Sequence, residues 1–491
     1  MPLPEFPCYI DGSFVNTHET FASIDPSTGE PWALMPSAGE PEVDRAVLAA
    51  HRALADPAWA NITPTQRGRL LQRLGDLVAE HAGTLATLET RDTGKIIRET
   101  RSQIAYVADY YRYFGGLADK IEGSYLPVDK ADMEVFLRRE PIGVVAAIVP
   151  WNSQLFLAAV KLGPALAAGC TVVLKASEDG PAPLLEFARL VDKAGFPKGV
   201  VNVITGYGAT CGKLLTSHPL VARVAFTGGP STARQIVRNT AENLAQTTLE
   251  LGGKSPVLVF ADADLDSASN AIIAGIFAAS GQSCVAGSRL LVQRSIHDRL
   301  LEILLAKVAS IRIGDPQDVA TEMGPLATER QLRHIVAVIE RSVAAGARVL
   351  AGGRRPPSLP AGYYFEPTII SCAGNAVPCA AEELFGPVLS VIAFDDEADA
   401  VAKANDTPYG LASGVFTKDL TRAHRVVRRL RAGVVWVNTY RAVSPIVPFG
   451  GYGLSGLGRE GGSASVLDYT KVKAVWLRTS DDPIPDPFVM R

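Results

Sequence analysis

The chain has 491 residues, of which 47% are hydrophobic and 20% charged, and its formal net charge is −3. That length and apolar content suffice for two to four domains with sizeable cores. The charge balance excludes a basic nucleic-acid-binding face. Six cysteines (Cys8, Cys170, Cys211, Cys284, Cys372, Cys379) show neither paired nor metal-type spacing, and the seven histidines are dispersed. A disulfide framework and a metal site are therefore not expected. No secretory pattern opens the sequence, so a reducing cytoplasm is the expected compartment. The most apolar stretch, 142–175, is broken by Pro150-Trp151-Asn152-Ser153-Gln154 and Lys161. It falls short of the about 20 apolar residues a spanning helix needs, so no membrane association is expected.

Residues 1–40 are rich in Pro and turns, with short extended pieces such as Cys8-Tyr9-Ile10 before Asp11-Gly12. Helical periodicity starts near Pro41 and resumes after the Thr63-Pro64 start signal, running to about His81. Further helix is predicted over 83–92 and 98–119, and a polar, alternating segment at 124–140 reads as a hairpin. From 142 onward continuous apolar strands (Gly143 to Val149, 171–175, 200–205, 221–227, 247–251) alternate with helices at 155–168, 183–194, 209–217 and 231–243. Such alternation implies right-handed βαβ units and a parallel sheet covered on both faces. A second series follows, with strands at 256–260, 289–293, 365–370, 388–394, 412–416 and 433–437. Its helices fall at 264–279, 296–309, 328–345, 397–405 and 420–430. The predicted fold is thus α/β, a Rossmann-like parallel-sheet domain followed by a second α/β domain. A Gly-rich segment, 450–462, and a strand-like 472–477 close the chain.

In open parallel sheets ligands bind beyond the carboxyl ends of the strands. That rule selects Pro150-Trp151-Asn152, Lys175 to Glu178, Gly206-Tyr207-Gly208, Phe226-Thr227-Gly228-Gly229 and Glu250-Leu251-Gly252-Gly253. Gly451 to Gly456 fits G-x-G-x-x-G but lacks a βαβ setting and reads as a loop. Gly206-Tyr207-Gly208 and Phe226 to Gly229 each lie between strand and helix, where backbone N–H groups could cradle a phosphate. Context prefers the first, and local chemistry does not choose between them. Lys175 and Glu178 suit a ribose, since a carboxylate accepts from a 2′-hydroxyl and repels a 2′-phosphate; a surface ion pair is the plainer reading. Asn152 is either an amide donor aimed into a cleft or a helix N-cap. In Gly281-Gln282-Ser283-Cys284, before the strand at 289–293, Cys284 is either a small buried hydrophobe or a nucleophile that needs a base and an oxyanion donor.

Taken together, these segments resemble the aldehyde dehydrogenase superfamily, the NAD(P)-dependent, CoA-independent enzymes. The resemblance runs from Tyr9-Ile10-Asp11-Gly12 to Asp468-Tyr469-Thr470. It is carried by Pro150-Trp151-Asn152, Glu250 to Lys254, Gly281 to Cys284, Glu382-Glu383-Leu384-Phe385-Gly386-Pro387 and Pro448-Phe449-Gly450-Gly451 in that order. It implies that Cys284 attacks an aldehyde to form a thiohemiacetal whose oxyanion meets the Asn152 amide and the Cys284 N–H. A hydride then leaves for the nicotinamide, and Glu250 activates water against the resulting thioester. It implies a cofactor site of Ile148, Trp151, Lys175, Ser177, Glu178, Gly208, Phe226, Thr227, Gly228, Gly229, Leu251, Glu383 and Phe385. Lys175 is counted with the catalytic set as well. The phosphates move to Phe226 to Gly229, against the contextual preference, and Gly208 falls near the adenine. Lys254 is expected to be structural. NAD is the implied cofactor, with NADP open.

The family's usual Phe-Pro after the Asn is Ser153-Gln154 here, which opens or polarises one wall of the expected substrate tunnel. Ser153, Phe156, Leu157, Ser283, Val285, Arg441 and Val447 are expected to line that tunnel. Arg441 could meet a substrate carboxylate, but an ion pair within the protein is the expectation. Gly229 and Ala233 depart from the family's usual Ser and Gly, so phosphate contacts can differ in detail. The implied domains are 1–121 with 142–252 for the cofactor, 253–450 for catalysis, and 122–141 with 466–491 as a bridging element between subunits of a homodimer or homotetramer. The alternatives are a CoA-acylating dehydrogenase, a Cys-dependent esterase, and a binding protein that keeps the fold without the chemistry.

Overall fold

The computed structural model describes residues 2–489; residue 1 of the implied cofactor domain and residues 490 and 491 of the implied bridging element lie outside. Four sheets organise the chain. In the first, five parallel strands run in the order Gln246–Glu250, Val221–Thr227, Val144–Ile148, Thr171–Ala176, Val201–Thr205. Antiparallel Cys8–Ile10 and Ser13–Val15 close one edge, and the short strand Gly456–Leu457 closes the other. The central strands are buried throughout because helices cover both faces. The chain steps outward from Val144–Ile148 in one direction, then crosses back to place Val221–Thr227 on its other side. The crevice at the carboxyl ends of these two strands is therefore the topological switch point.

The second sheet has seven strands, centred on Pro256–Val259, Arg289–Gln293 and Val388–Phe394. Glu250 ends a strand of the first sheet, and Pro256 begins one of the second. A third sheet pairs Thr470–Arg478 with Met133–Pro141 and Ser124–Leu126. Tyr125, Val472 and Trp476 are each at least half exposed on it, which accounts for the alternation of the predicted hairpin.

The helix Pro64–Glu80 starts where the sequence predicts. Thr63 Oγ1 accepts from the Gln66 N–H, and the Gln66 side chain accepts from the Thr63 N–H. Other expectations need correction. The predicted helix 209–217 opens as a π-turn, Gly208–Gly212, before its α-helical half. The pair Thr20–Asp25 and Glu30–Pro36 and the strand Arg348–Ala351 were not foreseen, being short and weakly patterned. The cysteines are not all dispersed: Cys372 and Cys379, seven residues apart, bring their Sγ atoms to 3.4 Å as free thiols. No helix is long and apolar enough to cross a membrane among the described residues.

Candidate active site

The helix before Gly281-Gln282-Ser283-Cys284 ends at Phe277, two residues short of its predicted limit. Ala279 and Ser280 adopt φ of 51° and 53°, which β-carbon-bearing residues hold only when the surroundings over-determine them. Three contacts do so. Both Glu99 oxygens accept the Ala279 N–H (3.0 and 2.9 Å), Ser280 Oγ donates to the Gly324 carbonyl (2.8 Å), and Gln282 Oε1 accepts the Ala327 N–H (2.9 Å). Gly281, at φ 72°, has no room for a side chain, because a β-carbon would stand 2.1 Å from the Gly386 carbonyl oxygen. The following turn, Gln282 to Cys284, is therefore presented rigidly.

Cys284 lines a cavity of about 940 Å³ together with Asn152, Glu250, Thr227 and Leu251. All seven expected tunnel residues, Ser153, Phe156, Leu157, Ser283, Val285, Arg441 and Val447, line the same space. Gln154 does not: it is fully buried, and its Nε2 approaches Gly180 instead. Only Ser153 of that pair alters the wall. Asn152 is not the helix N-cap. Ser153 takes that position without a capping bond, and Asn152 Nδ2 donates to the Gln282 carbonyl (3.0 Å). One amide N–H is thus used to orient the group, and the second is left for the cavity. The Cys284 N–H makes no hydrogen bond among the described residues.

Burial, with the Glu383 and Glu250 carboxylates, pushes the Cys284 thiol up to about 12, while the Arg441 charge opposes them. Glu250 ends the strand Gln246–Glu250, and neither of its buried oxygens has a hydrogen-bond partner. Burial, then the Glu460 carboxylate, raises its pKa well above that of an ordinary glutamate, against the pull of Lys161 and Arg459. Sequence reasoning missed this pair. Lys161 Nζ, fully buried, donates to Glu460 and to Thr227 Oγ1 (2.7 Å). The only sign in the sequence was a lone lysine inside an otherwise apolar helix.

A second group of predicted residues gathers along the carboxyl edge of the first sheet. Lys175 Nζ lies 3.4 Å from Glu178, and Glu178 Oε1 accepts the Gly208 N–H (3.2 Å). Burial opposes the Glu178 charge, but the Lys175 ammonium and backbone N–H groups outweigh it and hold its carboxyl below the usual range. Ser177 Oγ accepts the Asp179 N–H (3.2 Å). Phe226 turns its ring into the core under Gly228, Gly229 opens the next helix, and Ile148 is buried beside them. Glu383 Oε1 accepts the Gly253 N–H (3.0 Å), and a β-carbon on Gly252 would stand 1.9 Å from its other oxygen. Burial pushes the Glu383 carboxyl up to about 7. Phe385, at φ 54°, meets Trp151 edge-on with centroids 5.5 Å apart. The Glu178 and Glu383 carboxylates thus each accept from a glycine N–H. Lys254, fully buried without a partner for Nζ, sits below with its pKa lowered by burial to about 8.

Arg441 departs from expectation. Among the described residues it has no ion-pair partner; its Nη1 donates to the Ala274 carbonyl (3.0 Å), and the guanidinium otherwise faces the cavity. The pairing within the protein is corrected accordingly.

A model of the aldehyde dehydrogenase family matches residues 14–475. The chain is 63% identical over 490 residues to (Z)-2-((N-methylformamido)methylene)-5-hydroxybutyrolactone dehydrogenase of Acinetobacter baylyi, and the match covers 100% of both. Its fold is similar to that of betaine aldehyde dehydrogenase from Staphylococcus aureus in complex with NAD+ (TM-score 0.96, 37% identity, 99% of this chain and 96% of that one). It is similar also to the NAD+ complex of aldehyde dehydrogenase from Bacillus cereus (TM-score 0.95, 39% identity, 97% of each chain).

Proposed function

Because the chain belongs to the aldehyde dehydrogenase family, we propose that it oxidises an aldehyde to its carboxylic acid with NAD+, using Cys284 as nucleophile and Glu250 as hydrolytic base. The observation that carries the assignment is one cavity lined by a thiol, an amide with a spare N–H and a carboxylate with two unpartnered oxygens. Cys284, once its thiol has released its proton to solvent, adds as thiolate to the aldehyde carbon, and the oxyanion is met by Asn152 Nδ2–H and the Cys284 N–H, each such donor being worth about 3 kcal/mol. NAD+, its riboses held by Glu178 and Glu383, would supply the hydride acceptor, and loss of the hydride would leave a thioester on Cys284. Glu250 then takes a proton from water as it attacks the thioester, releasing acid and thiol. The acid appears without CoA, which separates this reading from an acylating relative. NADH formation from an aldehyde panel tests it; acid production that requires CoA would overturn it.

Glu178 would hold the adenosine ribose and Glu383 the nicotinamide ribose, with Lys175 setting the Glu178 charge. The phosphates fall to the 226–229 turn at the switch point. Glu178→Ala is expected to lower the NAD+ over NADP+ ratio of kcat/KM by at least about tenfold, since one charge-assisted bond to the 2′-hydroxyl is lost. Steady-state kinetics with both cofactors checks this.

A carboxylate-bearing aldehyde as substrate is supported by Arg441 and by the name of the Acinetobacter relative. A 5-hydroxybutyrolactone is the ring-closed form of a 4-oxo carboxylic acid, so its open chain offers an aldehyde to Cys284 and a carboxylate to a free guanidinium. Arg441→Leu is expected to raise KM for succinic semialdehyde by about tenfold or more relative to hexanal, because a bond to a charged group is worth about 1.5–3 kcal/mol. Equal changes for both aldehydes would remove the carboxylate assignment. We divide the chain into cofactor (1–121, 142–252), catalytic (253–450) and bridging (122–141, 466–491) parts and place it in the cytoplasm. Its self-association is supported by the exposed Tyr125, Val472 and Trp476 of the third sheet.

A further inference from the structure

The lining of the cavity also carries a polar cluster outside the machinery above. Lys95 Nζ donates to Glu89 Oε1 (3.1 Å), Gln103 Oε1 (2.9 Å) and Ser153 Oγ (3.1 Å). Gln103 Nε2 donates to the same Ser153 oxygen (3.3 Å), and Ser153 passes its own proton to the Asn152 carbonyl (2.6 Å). The Lys95 and Glu89 side chains are 7% and 1% exposed, so the pair is a buried one, and Lys95, Gln103 and Ser153 all line the cavity.

The proton count of this cluster leaves one free donor, and Glu89 Oε2 is a buried acceptor without a partner. An ammonium has three donors and no acceptor. All three are used, and whatever Lys95 touches must accept. That fixes the Gln103 amide with Oε1 toward Lys95 and Nε2 toward Ser153. Ser153 Oγ receives two donors and gives its proton away, so it is saturated. The second N–H of Gln103 Nε2 is what remains. Arg441, which lines the same cavity, has no ion-pair partner among the described residues and suits a carboxylate. The Lys95–Glu89 pair is neutral overall, so the N–H beside it suits a neutral oxygen and draws no net charge. Tyr106, one turn beyond Gln103, donates to the Val443 carbonyl (2.9 Å), tying this helix to the loop that bears Arg441.

We propose that Gln103, held in one orientation by Lys95, is a second recognition subsite of the cavity, and that it binds a carbonyl oxygen of an amide or ester carried by the aldehyde. Together with Arg441 it selects substrates that bear both a carboxylate and a neutral carbonyl acceptor. The inference rests on the aldehyde dehydrogenase reading. It adds a residue that the expected tunnel did not include.

The test compares 4-acetamidobutanal with hexanal as substrates of the full-length enzyme with NAD+. In Gln103→Leu the ratio of KM for the acetamido aldehyde to KM for hexanal is expected to rise about tenfold, with the effect on KM rather than kcat. Gln103→Glu keeps the side-chain shape and replaces the donor by an acceptor, and it should raise the same ratio even if the leucine variant folds poorly. An unchanged ratio in either folded variant overturns the subsite, as does a matching loss on both aldehydes, which would mark a structural role only. Wild-type NADH production across an aldehyde panel that includes succinic semialdehyde separates the outcomes: its absence would count against the dehydrogenase reading, whereas its presence with an unchanged ratio counts against Gln103 alone.

Discussion

Cys284→Ala is expected to abolish NADH production, with kcat falling on the order of 10⁴-fold or more, while NAD+ binding measured by fluorescence quenching stays intact. Removing the nucleophile of a covalent mechanism has effects of that size, because the remaining groups cannot replace a bond. The separation of the two readouts follows from geometry. The Glu178 and Glu383 carboxylates are held by Gly208 and Gly253 and make no hydrogen bond to the cysteine turn. The other five cysteines are all buried, and none lines the cavity, so none can substitute. Full dehydrogenase activity in Cys284→Ala would refute the central assignment. The high thiol pKa adds a second expectation: alkylation of Cys284 by iodoacetamide should be slow at neutral pH in the free enzyme and accelerate as pH rises.

Much of this site is legible in the sequence. Continuous apolar strands separated by helices placed the carboxyl-end turns, and those turns carry Asn152, Lys175, Glu178, Thr227 and Glu250. What could not be read were properties of atoms distant in the chain. Lys161 and Glu460 are 299 residues apart, and each alone looks like an ordinary charged residue. Lys95, Gln103 and Ser153 come from a loop, a helix and a turn, and they become a unit only when one ammonium has to find three acceptors. Gln154 failed for the opposite reason. Its neighbour Ser153 faces the cavity, and a single step in the first turn of the helix rotates the next side chain into the core. Arg441 was misjudged because ion pairing is the commoner use of arginine, and pairing within the protein depends on a neighbour that no local pattern reveals.

Glu250→Gln should separate the two half-reactions. The first turnover still delivers a hydride, so a burst of NADH near one equivalent per site is expected. Steady-state turnover then falls by about 10²- to 10⁴-fold, because the amide cannot take a proton from water. Quenched samples should contain the acyl group on Cys284 by mass spectrometry; a variant with wild-type turnover would show that another group is the base. The same carboxylate sets the acid limb of the pH profile. Glu250 works only when ionised, and burial together with the Glu460 carboxylate lifts its pKa above the ordinary 4.5. Deacylation is therefore lost as pH falls through that raised value, at a higher pH than an exposed glutamate would give. Glu460→Gln removes a charge that disfavours ionisation and leaves Lys161 in place, so the limb should move to lower pH. Lys161→Met removes the opposing cation, and the limb should move to higher pH. Opposite displacements from the two partners of one buried ion pair are what electrostatic control of Glu250 requires; shifts in the same direction would instead point to a change in packing around the strand Gln246–Glu250.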